Sequence, residues 1–168
     1  MDLRFKNEYT RDLDMIKEML TWSNFKRPVR IVVIILLAYT SILSLVGFIL
    51  NPSDFVYLIF FGSVILLVLL FFFSYKKMVK ITAARDKEVN GGKEIEITVS
   101  LYDDKMELEG SSGGSNELAY SSLKKVYTTK NLIIAFSKTN IMYTLKKDGF
   151  TVGTADECIA FLNGKINK

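Results

Sequence analysis

The chain of 168 residues has no histidine and one cysteine, Cys158, which excludes an internal disulfide and removes the commonest general base and metal ligand. Its net charge of +4 does not read as a nucleic-acid footprint, because residues 93–168 carry ten basic and ten acidic side chains and the surplus lies wholly in residues 1–92. There the basic residues flank two uncharged apolar runs: Lys26, Arg27 and Arg30 before the first, and Lys76, Lys77 and Lys80 after the second.

From the N-terminus, Leu3–Tyr9 alternates apolar with polar, the period of a half-buried strand. Thr10 is the expected N-cap of a helix whose first turn carries Asp12 and Asp14, where the helix dipole favours anions. Its apolar stripe runs through Leu13, Ile16, Met19, Leu20 and Phe25. That stripe packs on a cytoplasmic domain or rests on a membrane interface with Trp22 at headgroup depth.

Residues 31–50 and 55–74 come next, parted only by Asn51-Pro52-Ser53-Asp54. Each matches the ~20 residues a helix needs to cross a bilayer, so they read as an uncleaved transmembrane hairpin with Asp54 capping the second span. The connecting loop has no Lys or Arg. By the positive-inside rule the protein is multi-pass in the cell membrane with both termini cytoplasmic. Ser41, Ser44 and Gly47 share one face of the first span with Ala38 and Phe48, and Gly62 and Ser63 are the small residues of the second. These faces are expected to meet within the hairpin, and the same faces would also serve pairing of two copies of the chain. Neither span carries an ionisable residue, which argues against an ion or proton path.

Lys76–Glu88 has helical propensity and extends the second span until Asn90-Gly91-Gly92 ends it. The tail then alternates at Glu94–Val99 and Lys105–Glu109 around a turn at Asp103-Asp104. After a Gly/Ser loop at Gly110–Ser115, short strands follow at Glu117–Tyr120, Lys124–Tyr127, Leu132–Phe136 and Ile141–Leu145. Thr154 caps a final helix, Ala155–Ile166. The chain thus divides into an N-terminal arm (1–30), a helical hairpin (31–75), a helical linker (76–92) and an α+β domain (93–168). That domain is a curved antiparallel sheet or barrel capped by a C-terminal helix, which the strand at Leu3–Tyr9 would join.

The order of these parts, with Phe5-x-Asn7-x-Tyr9-Thr10 at the start and Ile97-Thr98-Val99 and Tyr120-Ser121-Ser122-Leu123-Lys124-Lys125-Val126 in the tail, resembles the YcxB-like family of small bacterial membrane proteins. Leu145-Lys146-Lys147 leading to Phe150 is similar to a further family stretch, here without its proline, and Tyr120 stands where the family usually has tryptophan. The resemblance covers essentially the whole chain. It implies a tail like a pleckstrin-homology domain and transfers no catalytic residue.

The residues themselves oppose an enzyme. Cys158 sits on the apolar side of the last helix, where a small hydrophobe is the default reading. Asp103-Asp104 suits a hairpin turn and Asp156-Glu157 a helix start, so both acid pairs have structural explanations. Gly110–Ser115 lacks the lysine and the strand-to-helix context of a phosphate loop. No metal or cofactor is expected. A non-catalytic interaction or regulatory module remains, its partners the bilayer and a protein, with no nucleic acid. Lys124, Lys125, Lys130, Lys138, Lys146 and Lys147 surround the later turns and would touch anionic lipid or that partner if they shared one rim. The alternative is a small immunity or stress-protection protein acting through its membrane hairpin.

Overall fold

The computed structural model describes residues 2–25 and 28–166. Lys26 and Arg27, expected at the first membrane edge, lie outside the described residues. The chain forms two compact units, one of Met1–Glu18 with Ala83–Lys168 and one of Met19–Thr82.

The first unit is a sheet structure. Strand β1 (Leu3–Thr10) precedes the long helices; β2 (Glu96–Tyr102), β3 (Lys105–Gly110), β4 (Ser115–Ala119), β5 (Leu123–Thr128), β6 (Leu132–Ser137), β7 (Met142–Lys146) and β8 (Phe150–Val152) follow them. They form a five-stranded sheet in the order β4-β3-β2-β1-β8 and a three-stranded sheet in the order β5-β6-β7, with every pairing antiparallel. No closed barrel forms among the described residues. A 3-10 turn at Tyr120–Ser122, in place of the strand expected to run through Tyr120, passes the chain from one sheet to the other.

Side chains of β1 link the sheets. Phe5, Asn7 and Tyr9 are its buried positions, as the period of two requires. Asn7, with no exposed surface, donates from Nδ2 to the Lys146 carbonyl at 2.7 Å and accepts the Lys146 N–H on Oδ1 at 3.0 Å. Its amide thereby satisfies two backbone groups of β7 as a neighbouring strand would. Tyr9 donates its hydroxyl to the Thr144 carbonyl at 2.7 Å. The Phe5 ring packs 5.4 Å from that of Phe161 on the last helix, α4 (Ala155–Ile166). At Gly153 a positive φ of 75° and the nearness of the Phe5 ring leave no room for a side chain. The core between the sheets holds Val99, Leu101, Met106, Ile134, Leu145, Cys158 and Leu162, and all six residues of β6 are buried. Thr154 and Glu157 cap α4 reciprocally: the Thr154 N–H donates to Glu157 Oε2 at 3.1 Å and the Glu157 N–H to Thr154 Oγ1 at 3.4 Å.

Helix α1 (Leu13–Phe25) is capped by Asp12, whose carboxylate accepts the Met15 N–H at 2.7 Å. Thr10, the expected cap, is instead the last residue of β1, paired with Glu96. Two cap-forming residues stand within one turn, and pairing with β2 takes the first of them into the sheet. In the second unit, α2 (Pro28–Leu50) and α3 (Phe55–Val89) contain the two segments long and apolar enough to cross a membrane. The Val56 N–H donates to Asp54 Oδ1 at 3.1 Å, so Asp54 caps α3. Met19, Trp22 and Val79 are buried, and the Thr21 and Tyr75 hydroxyls hydrogen-bond at 2.8 Å.

Replacing Asn7 by Ala removes both hydrogen bonds to β7 and leaves the Lys146 backbone groups without them, so the sheet unit should lose about 2–4 kcal/mol. Chemical denaturation of the detergent-solubilised chain, followed by far-UV circular dichroism, measures the change.

Candidate functional site

The six lysines do not share a rim. Leu132 of β6 pairs with Lys146, whereas Ser137 at the other end pairs with Leu123. Lys130, Lys146 and Lys147 therefore stand at one end of the three-stranded sheet and Lys124, Lys125 and Lys138 near the other, roughly 17 Å away along β6. At the first end Lys147 Nζ donates to the Thr129 carbonyl at 2.6 Å, and Lys146 Nζ lies 3.6 Å from Asp148. Glu18 of α1 shares that end, accepting the Asn131 N–H at 2.9 Å and Asn131 Nδ2 at 2.8 Å. Burial pushes the Glu18 carboxyl up, but hydrogen bonding from the Thr129 side chain and from Asn131 outweighs it and holds the carboxyl below its usual range. At the far end Lys125 Nζ sits 5.0 Å from the centroid of the Tyr127 ring.

Within the hairpin, Leu37, Ser41, Ser44, Gly47 and Phe48 make up the half-buried face of α2. The matching residues of α3 are Tyr57, Phe61 and Val64. A Cβ on Gly47 would fall on the Tyr57 ring, so this glycine admits an aromatic rather than a second small residue. Gly62 and Ser63, the expected α3 half of the contact, are exposed: nothing lies within 4 Å of a Cβ on Gly62, and the Ser63 hydroxyl donates to the Phe60 carbonyl at 2.7 Å.

The most open part of the sheet unit is β4, at one end of the five-stranded sheet and exposed along Ser115–Ala119 apart from half-buried Leu118. Behind it the outward face carries Glu107 and Glu109 on β3, with Glu107 paired directly to Glu117 on β4. Like charges in that position repel, and Lys105 relieves them, its Nζ 2.5 Å from Glu107 and 3.0 Å from Glu117. The hydrogen bond to Glu107 is the main cause holding the Lys105 ammonium above its usual range, and the same bond lowers the Glu107 carboxyl. The other sheet ends are less accessible. β8 has three residues, α4 packs against β5, and the Lys146 backbone of β7 is taken by Asn7.

Cys158 has no exposed surface, and burial pushes its thiol up to about 12. Tyr120, also raised by burial, donates its hydroxyl to the carbonyls of Tyr102 at 2.8 Å and Lys105 at 2.9 Å. Among the described residues no group of three or more His, Cys, Asp or Glu side chains is arranged to hold a metal ion.

No family model, no curated protein and no solved structure matches this chain. Phe5, Asn7 and Tyr9 form the inner side of β1, and Tyr120 anchors the turn between sheets. One contact absent from the sequence reading joins Arg11 to Asp86, whose side chain is 7% exposed, at 3.2 Å. The pattern of residues 76–88 marks a solvated helix and contains no sign that Asp86 is buried.

A pKa raised from 9.0 to about 12 leaves on the order of a thousandfold less thiolate at pH 8 than in an unshifted cysteine. Iodoacetamide should therefore leave Cys158 of the folded chain unmodified at pH 8 and alkylate it readily in denaturant, as mass spectrometry would record. In the hairpin, Gly47→Leu should cost about 1–3 kcal/mol by forcing Tyr57 aside, and Gly62→Leu should cost almost nothing. Thermal melting of the two variants in the same detergent tests this contrast.

Proposed function

We propose that the α2–α3 hairpin lies in the cell membrane and holds the sheet unit at its cytoplasmic face as a non-catalytic interaction or regulatory module. The observation that carries this reading is the place of β1. It precedes the hairpin, β2 follows it, and the two pair along their length within one sheet. Both arms of a membrane-inserted chain must then lie on the same side, as an even number of spans requires. The most apolar windows of α2 and α3 have 0% of their residues buried, so their surface needs cover that hydrocarbon supplies. Lys76, Lys77 and Lys80 after the second span, against a loop without Lys or Arg, favour a cytoplasmic sheet unit.

Two sheets closed at one side by a C-terminal helix support a pleckstrin-homology-like reading of this unit, and the order of its parts supports kinship with the YcxB-like family. The split of the lysines between two ends disfavours a lipid-binding rim, and the buried Cys158 disfavours nucleophilic catalysis. The β4 edge is the better contact surface. An extended segment of a protein partner would add to it as a strand, with basic side chains facing Glu107, Glu109 and Glu117. A second reading has the hairpin itself engage a membrane partner, and it draws on the exposed Gly62 and Ser63 of α3.

Photo-crosslinkers placed at Ser112 and Asn116 beside the β4 edge, and at Lys125 and Lys138 away from it, test the proposal in native membranes. The expected result is one protein captured from Ser112 and Asn116 and not from Lys138. Lipid adducts alone, or no adduct from any position, would remove the edge-binding reading. Exchange of the hairpin for an unrelated one of equal length should preserve capture, whereas its loss on exchange would favour the hairpin reading.

A further inference from the structure

Strand β4 uses one side of its backbone for β3 and leaves the other open. The Gly110 N–H donates to the Gly114 carbonyl at 2.8 Å, and the antiparallel ladder alternates from that pair. Asn116 and Leu118 therefore bond to β3, whereas the N–H and C=O groups of Ser115 and Glu117 point away from it. Among the described residues no backbone group meets them. Ala119 adds only its N–H to this open side, because its carbonyl accepts the Ser122 hydroxyl at 2.7 Å.

The charges behind the open side differ along its length. β3 places Lys105 behind Ala119, Glu107 behind Glu117 and Glu109 behind Ser115. Lys105 Nζ bridges Glu107 and Glu117, and Glu109 stands outside that bridge. An added strand thus meets a cation at the Ala119 end and carboxylates over the rest. A second copy of the chain pairing along the whole strand would set Glu117 against Glu117, a repulsive contact. On the opposite face Leu118 is half-buried and offers apolar cover.

We infer that the β4 edge selects an antiparallel protein segment reading acidic, aliphatic, basic, any residue, basic from its N-terminus, a partner pattern that rests on the edge-binding module proposed above. The acid lies opposite Ala119 beside Lys105, the aliphatic residue opposite Leu118 and the first base opposite Glu117. The second base lies opposite Ser115, whose small side chain lets an arginine extend over it. Two strand spacings, roughly 10 Å, then separate its backbone from that of Glu109, a span the two long side chains can close together. Antiparallel pairing lets the open N–H and C=O of Glu117 bond to a single opposite residue, so the main chain fixes the register in which the charges are read.

A display library of random linear peptides, panned against the full chain in nanodiscs, tests the inference. The expected enrichment is the acidic, aliphatic, basic, any, basic pattern, in peptides that a photo-crosslinker at Asn116 captures. Glu117→Lys, at an exposed position, should keep the circular dichroism spectrum and bind the selected peptide at least about tenfold more weakly. Panning on that variant should return an acid at the central position. Enriched peptides that attach at Asn116 but lack the alternating bases overturn the inferred pattern and leave edge binding intact. No enrichment, or capture only away from Asn116, overturns the pattern and the edge-binding reading together. Equal binding of the selected peptide by the original chain and by Glu117→Lys overturns the pattern as well.

Discussion

The insertion of β1 between β2 and β8 is the constraint on which the other features of the sheet unit depend. One strand supplies the five-stranded sheet with an interior member and reaches the three-stranded sheet through Asn7 and Tyr9. It reaches α4 through Phe5 as well. Its outer edge is held by Gly149, whose carbonyl accepts the Glu8 N–H at 2.7 Å. Without β1 the tail keeps β2–β3–β4 and β5–β6–β7 as two separate three-stranded sheets, each with an apolar face and little to join them.

The same strand explains how a short tail can fold beside two long apolar helices. Pairing β1 with β2 closes a loop that contains the entire hairpin, and closure entropy grows only slowly with loop length. In the proposed membrane the hairpin also returns the chain to the side it left, so the two partners begin close together. Helix α3, with 35 residues, is roughly 50 Å long, well beyond the ~30 Å of a hydrocarbon core. In the proposed membrane its last turns would stand in water, where Asp86 meets Arg11 just past the end of β1.

Much of this fold is legible in the sequence because its elements are strongly periodic or strongly punctuated. The alternation of Leu3–Tyr9 marks which side chains of β1 face inward, and Thr154 with Glu157 marks where α4 begins. The failures have local causes. β8 is three residues long, too short for a period to show. Thr10 and Asp12 are both competent caps, and only pairing with Glu96 decides between them. The preference for small residues at helix contacts points to Gly62 and Ser63, but Gly47 receives the ring of Tyr57 and turns α3 to present Tyr57, Phe61 and Val64. The candidate sites are less legible than the fold. Whether six lysines form one patch depends on strand register, and the burial of Asp86 depends on a contact between residues far apart in the chain.

Cysteine cross-linking across β1 and β2 in intact membranes tests the central claim most directly. Lys6→Cys with Ser100→Cys places the two thiols on directly paired residues of the outward face. Lys6→Cys with Glu109→Cys, on β3, is the control that skips a strand and shifts register. Cys158 stays in place because its thiol is buried. The account predicts rapid disulfide formation in the Lys6–Ser100 pair and none in the control. Failure of the Lys6–Ser100 pair to cross-link, or equal cross-linking in both, would mean that the strand before the hairpin does not belong to the sheet after it.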